Sequence, residues 1–354
     1  GNVYQDLAKI QNTKENLSKA EAAYKQALRV YTRDNFPQPW AKVQDNMGTY
    51  LTAMAEVEAP VHNSKTADDC FIRALTIYTQ DAFPAARAMV EKHRAEASIV
   101  SAEVQYTDTN LLEALTACEE VLKTYRCDTS PLDYAEVQTI MGRAYTELAA
   151  ARNEENRLDL ALAAGKNAFE AFANALDIFT SDGFPIQNTV INFHRGKAYF
   201  QLARSQNAET NLNQAFDVFK SVSKVFTHTD FPIWHAATQH SLGMTLAAQA
   251  ARTPDKAKLL DVIATFKKAL SVCVPGEFPV RSGRTSFNLG IAYSCLARWD
   301  KNGAAEAQRQ AKEAFDYAVE AFHQQKLDIL ETIASRTRMS FQNGATLYLR
   351  DARL

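Results

Sequence analysis

Seven histidines and five cysteines are the side chains best suited to bind a metal or act as nucleophiles in this chain of 354 residues. Their spacing supports neither role. The histidines (His62, His93, His194, His228, His235, His240 and His323) form no HExxH pair. His235 and His240 stand five residues apart, about 140° around a helix, so they cannot chelate one ion as an i, i+4 pair does. The cysteines (Cys70, Cys118, Cys127, Cys273 and Cys295) are odd in number, irregularly spaced and without a CxxC pair, which argues against both a zinc site and a disulfide framework. Twelve glycines contain neither GxGxxG nor GxxxxGK[ST], so no phosphate-cradling loop is indicated. Glu154 and Glu155 read as solvated loop charge, and nothing near a cysteine would form an oxyanion site. The expectation is a chain with no catalytic residues, no cofactor and no metal.

Composition narrows the class further. Apolar residues make up 46% of the chain, charged residues 23%, and the net charge is −2, the balance of a folded protein rather than a disordered tail. Without a net positive field there is no argument for phosphate-driven nucleic-acid binding. No apolar run reaches the ~18 residues that would span a membrane, and no leader pattern opens the sequence. A reducing, cytoplasmic compartment suits the cysteine usage.

The elements that must carry any site are legible from the prolines. Pro37, Pro84, Pro131, Pro185, Pro232 and Pro279 follow one another at intervals of 47, 47, 54, 47 and 47 residues. Phenylalanine precedes five of the six, as Phe36, Phe83, Phe184, Phe231 and Phe278, and Ser130 precedes the other. A residue before proline is pushed out of the α region and proline suits a first helical turn, so each junction ends one helix and starts another. Eleven residues after each proline stands Gly48, Ala95, Gly142, Gly196, Gly243 or Gly290. Thirteen before stands Tyr24, Phe71, Cys118, Phe172, Phe219 or Phe266, flanked three and four residues away by small or β-branched residues such as Ala67 and Ala74. Those separations put one stripe on one helical face, which must be buried against a neighbour. Asparagine at minus twenty-one (Asn16, Asn63, Asn110, Asn211) suits an N-cap of that second helix. Arg94 and Arg195, at positions where an aliphatic residue is expected, must reach solvent or a carboxylate.

Each repeat is therefore a pair of antiparallel helices that buries its stripes by stacking on its neighbours. The seven extra residues between Pro131 and Pro185 are about two helical turns and predict a longer second helix near residues 156–166, by roughly 10 Å. The array spans 1–323, with a partial first unit and the insertion near 151–166, and 324–354 forms a C-terminal cap. Gly1 precedes Ala20 by nineteen residues, as Gly48 precedes Ala67, so the chain is expected to open mid-helix as a piece of a longer polypeptide.

Glycine followed three residues later by tyrosine (Gly142 and Tyr145, Gly196 and Tyr199, Gly290 and Tyr293), then the alanine–aromatic–alanine stripe, resembles the tetratricopeptide repeat over nearly the whole chain. The 47-residue interval, Asp-x-Phe-Pro, and Asn46-Met47-Gly48 or Asn288-Leu289-Gly290 are similar to long-unit arrays of multidomain bacterial proteins, some with a caspase-like protease domain. That resemblance implies an all-α fold, a right-handed superhelical α-solenoid of antiparallel helix pairs. It also implies a non-catalytic scaffold that binds a protein or peptide, or a neighbouring domain of the same polypeptide, in its concave groove. The alternative it implies is a regulatory module of a larger enzyme.

In such arrays the first helix of each repeat lines the groove, which assigns positions eight, twelve and fifteen after each proline to that face. Early repeats place there Asp45, Thr49 and Thr52, then Lys92, Glu96 and Ile99, then Thr139, Arg143 and Thr146. Later ones place Phe193, Lys197 and Phe200, then His240, Met244 and Ala247, then Phe287, Ile291 and Ser294. Apolar side chains on a face that meets water mark a binding surface. The expected partner-binding residues are Phe193, Lys197, Phe200, Met244, Arg284, Phe287 and Ile291, with Lys197 and Arg284 meeting acidic groups of the partner. The competing expectation is that the helices are tilted so that these residues pack against one another, or that the tail after residue 324 folds back to cover them.

Overall fold

The computed structural model describes residues 1–8, 13–105, 108–253, 255–272, 278–300 and 302–349. Every helix or strand among them is an α-helix. In chain order they are α1 (Asn2–Ala8), α2 (Thr13–Val30), α3 (Pro37–Val57), α4 (Pro60–Leu75), α5 (Pro84–Gln105), α6 (Asp108–Thr124), α7 (Pro131–Glu154) and α8 (Leu158–Leu176). There follow α9 (Pro185–Ser205), α10 (Ala208–Val225), α11 (Pro232–Arg252), α12 (Lys256–Leu270), α13 (Pro279–Trp299), α14 (Ala304–Gln324) and α15 (Asp328–Gln342). The chain divides into two compact bodies, Gly1–Ile191 and Asn192–Leu354. Within the bodies, consecutive helices from α1 to α8 and from α10 to α15 pack on one another, and α3 with α5, α5 with α7, and α11 with α13 pack across one intervening helix. This is the neighbour-on-neighbour packing of an all-α solenoid. No helix among the described residues is long and apolar enough to cross a membrane.

All six spaced prolines open a helix. The residue before them is held outside the helical region, with φ near −138° and ψ near 64° at Phe36 and nearly the same at Phe231 and Phe278. A threonine five residues before the proline shapes the junction. The carbonyls of Thr32, Thr79, Thr180 and Thr227 accept the amide of the pre-proline phenylalanine, and their hydroxyls accept the amide one residue earlier in the turn. An aromatic edge then seals it, as in Phe179 on Phe184 with ring centres 5.2 Å apart.

Within each hairpin the glycine of the first helix lies under the aromatic ring of the second. A Cβ on Gly48, Gly142, Gly196, Gly243 or Gly290 would stand 2.4–2.8 Å from Phe71, Phe172, Phe219, Phe266 or Phe315, closer than carbon atoms approach. Each of those five rings is fully buried, and such burial contributes about 1.5–3 kcal/mol. The second repeat keeps the fit with other residues. Ala95 replaces glycine, Cys118 replaces the ring, and both belong to one buried cluster.

Two expectations about the second helices are corrected. The asparagines at minus twenty-one are not N-caps: they lie inside the helix, and Asn63 and Asn211 donate back to the carbonyls of Glu58 and Gln206, at 2.7 and 2.8 Å. That bond clamps a two-residue turn whose last residue, Ala59 or Asn207, takes the left-handed conformation. The seven-residue insertion is shared rather than given to one helix. Glu154 ends α7 23 residues past Pro131, against 20 for Val57 past Pro37. Leu158 opens α8 27 residues before Pro185, against 24 for Ala208 before Pro232. Each helix thus gains three residues and the turn gains one, with Asn156 left-handed at φ 58°. Leu158 is exposed and the buried stripe begins at Ala161 and Ala164.

At the C-terminal side, Ala311, Phe315 and Ala318 of α14 are fully buried, and α15 packs on α14. Beyond α15 the chain turns back onto α13. Leu347 and Leu349 are buried, the Leu347 carbonyl receives the Cys295 thiol at 3.4 Å, and the Arg298 guanidinium lies 5.2 Å from the Tyr348 ring.

Candidate functional site

Successive first helices present a row of polar side chains that bridge one to the next, 44–48 residues apart in sequence. In the first body this row neutralises itself. Asp45, buried on α3, accepts from Lys42 at 3.0 Å and pairs with His93 of α5 at 2.7 Å. Lys92 of α5 donates to Glu136 of α7 at 2.6 Å, and Arg143 of α7 donates to Glu96 of α5 at 2.7 Å. Burial pushes the carboxyls of Asp45 and Glu96 up. For Asp45, His93 and Lys42 outweigh it, and for Glu96, Arg143 does, so both are held below the usual carboxylate range. Arg94 finds the carboxylate it needs, Asp68, at 2.6 Å. Arg195 bonds the side chain of Asn192 at 2.9 Å.

The first helices of the second body differ in chemistry. Neither α9, α11 nor α13 contains a single aspartate or glutamate, whereas α3, α5 and α7 each hold at least two. Lys197 of α9, His240 of α11, and Arg281 and Arg284 of α13 occupy the row, all partly exposed. Residues 43 and 44 apart here, Lys197 to His240 to Arg284, match the 44-residue step that joins Lys92 to Glu136. The His240 ring bonds the Thr285 hydroxyl at 2.9 Å through Nδ1 and packs 6.0 Å from the Phe266 ring. Removal from water, with Arg284, Lys197 and Arg281 nearby, pushes the His240 pKa down to about 3, so the ring is neutral at pH 7.

No protein-family model matches the chain, and no curated protein resembles it significantly.

Four of the expected apolar side chains are buried within the body. Phe193 is 5% exposed, Met244 9%, and Phe287 and Ile291 0%. Phe193 packs edge-on against Phe219 and Trp234, and Phe287 edge-on against Phe315. These side chains build the body's own core, because α13 is covered on nearly every side, at one end by the returning tail. Of the seven expected residues, Lys197, Phe200 and Arg284 keep partial access to solvent. Two of those three, Lys197 and Arg284, are basic. His240 and Arg281 were not among the expected contacts; the signal that finds them is the absence of acidic residues from three first helices, read together with the row's spacing.

Among the described residues no group of three histidines, cysteines or carboxylates is placed to hold a metal. Burial pushes the Cys118 thiol up to about 12, which leaves it protonated and a poor nucleophile at neutral pH.

Proposed function

We propose that this chain is a non-catalytic protein-interaction scaffold of the tetratricopeptide type, and that its C-terminal body docks an acidic segment of a partner protein. One observation carries the reading. The first helices α9, α11 and α13 carry Lys197, His240, Arg281 and Arg284 and no carboxylate, whereas α3, α5 and α7 each carry at least two. Basic side chains carried on helices that contain no acidic residue favour carboxylates on whatever lies against them. Lys197 and Arg284 make the outer contacts and Phe200 supplies apolar area at the edge. The buried thiols of Cys70, Cys118 and Cys295 fit a reducing compartment such as the cytosol.

The test is fluorescence anisotropy with two labelled peptides of equal length, one rich in glutamate and leucine, the other with lysine in place of glutamate. The acidic peptide is expected to bind and to weaken by about tenfold or more in a Lys197→Ala, Arg284→Ala double variant that keeps its helicity. Equal binding of both peptides, or no binding of either, would overturn the reading. Preference for single-stranded nucleic acid over the acidic peptide would overturn it too.

A further inference from the structure

Two imidazoles meet at the junction that opens α11. The ring centres of His228 and His235 are 5.8 Å apart and their planes stand at 90°. His228 is exposed on the turn before Pro232, and His235 is half-buried at the start of the helix. They occupy the positions four before and three after the repeat's proline, which the fold also brings together in the first repeat, where the Arg33 guanidinium lies 5.9 Å from the Trp40 ring. The later position carries a fixed hydrogen bond. Nδ1 of His235 is 3.0 Å from the Phe226 carbonyl, and Asn188, its counterpart one repeat earlier, donates to the Phe179 carbonyl at 2.8 Å. A carbonyl only accepts, so Nδ1 holds the proton and Nε2 of the neutral ring keeps its lone pair. No other repeat has a histidine at either position.

We infer that His228 and His235 form a two-imidazole site for a divalent transition metal of the zinc class. Neutral imidazole nitrogens are donors that such ions favour. Zinc–nitrogen bonds of about 2.0–2.1 Å in a tetrahedral shell set two ring centres roughly 5.2 Å apart. The pair stands slightly wider, at 5.8 Å, and the exposed His228 closes the difference by turning about its own side-chain bonds. The bond from Nδ1 of His235 to the Phe226 carbonyl is the support a metal-bound imidazole takes, because it fixes both the tautomer and the ring. Two donors are fewer than the three or four protein ligands of catalytic and structural zinc sites, so water completes the shell and the ion exchanges. That agrees with the lack of a three-ligand group among the described residues. A bound ion ties the turn to the start of α11, and it does so without any residue of the docking reading.

Zinc ion is the probe, titrated at neutral pH into the full chain without an affinity tag and followed by NMR of the histidine rings. The His228 and His235 resonances are expected to shift together and to saturate at one ion per chain, and a chelator should reverse the change. The melting temperature of the C-terminal body should rise with zinc, because the ion binds the folded junction. Two variants use residues that other repeats already hold at these positions, so the fold accepts them: His228→Gln, as Gln80, and His235→Asn, as Asn188, which keeps a donor for the Phe226 carbonyl. Each should weaken zinc binding by about tenfold or more. Zinc shifts confined to other histidines, equal affinity in wild type and both variants, or no shift in the wild-type rings would each overturn the site. The wild-type titration decides the matter even where a variant fails to fold.

Discussion

The ring of Phe71 occupies the space that a side chain on Gly48 would need: a Cβ there would stand 2.4 Å from it. The same pairing recurs between Gly243 and Phe266 at 2.6 Å, so the first prediction is that Gly243→Ala overpacks its hairpin and costs about 1–3 kcal/mol. Chemical denaturation should show it as a lower midpoint. The second repeat offers the converse. Cys118→Phe should destabilise beside Ala95, and Ala95→Gly in the same chain should restore most of the loss, a coupling that a double-mutant cycle measures directly.

That fit explains how much of the fold was legible. The proline intervals and the glycine–aromatic register are local chemistry, since proline fixes a helix start and a missing Cβ admits a ring. Compensation at Ala95 and Cys118 could have been read from the two substitutions occurring in one repeat. The insertion was half legible. Seven residues keep the apolar phase, but where the turn forms depends on which residue accepts a left-handed backbone, and Asn156 does so in the middle of the added stretch.

An acid-sensitive first body is the second prediction. Asp45 and Glu96 titrate below their unfolded values in the folded chain, so the stability they add is present above the usual carboxylate range and is lost as the pH falls through their folded pKa. Unfolding of this body should therefore steepen below about pH 4. Asp45→Asn should cost about 1–3 kcal/mol at pH 7 and flatten that acid limb. An acid limb of unchanged slope in the variant would assign the sensitivity elsewhere.

The returning tail supplies the third. Leu347 and Leu349 are buried on the C-terminal body, and the Leu347 carbonyl receives the Cys295 thiol. A Leu347→Asp, Leu349→Asp variant should lower the melting temperature and expose the end of α13, seen as faster hydrogen exchange at Leu296 and its neighbours. Thiol labelling reads the same event: Cys295 is buried, and it should react faster in the variant.

The site was less legible than the fold, and for one reason. Helical register says which residues share a face but not what lies over that face, and Phe193 and Phe287 sit where register alone leaves them open to water. In the folded chain Phe193 is enclosed by Phe219 and Trp234, and Phe287 by Phe315. Charge is different. Lys197 and Arg284 keep partial access to solvent while the phenylalanines Phe193 and Phe287 do not.

The last prediction follows from that burial. Had Phe287 been a docking anchor, Phe287→Ala would leave a folded protein that binds its partner poorly. Its ring is instead fully buried, 5.9 Å from the Phe315 ring, which itself lies over Gly290 and 5.6 Å from Phe341. Truncation should therefore open a cavity and cost about 3–5 kcal/mol. The loss should appear in the melting transition of the C-terminal body, with the helices of Gly1–Ile191 responding little. Lys197→Ala and Arg284→Ala should show the reverse, a melting transition close to wild type and weaker binding of the acidic peptide. Thermal denaturation and peptide anisotropy on the same three variants separate the roles. A stable Phe287→Ala protein with lost binding would return the apolar side chains to the docking surface.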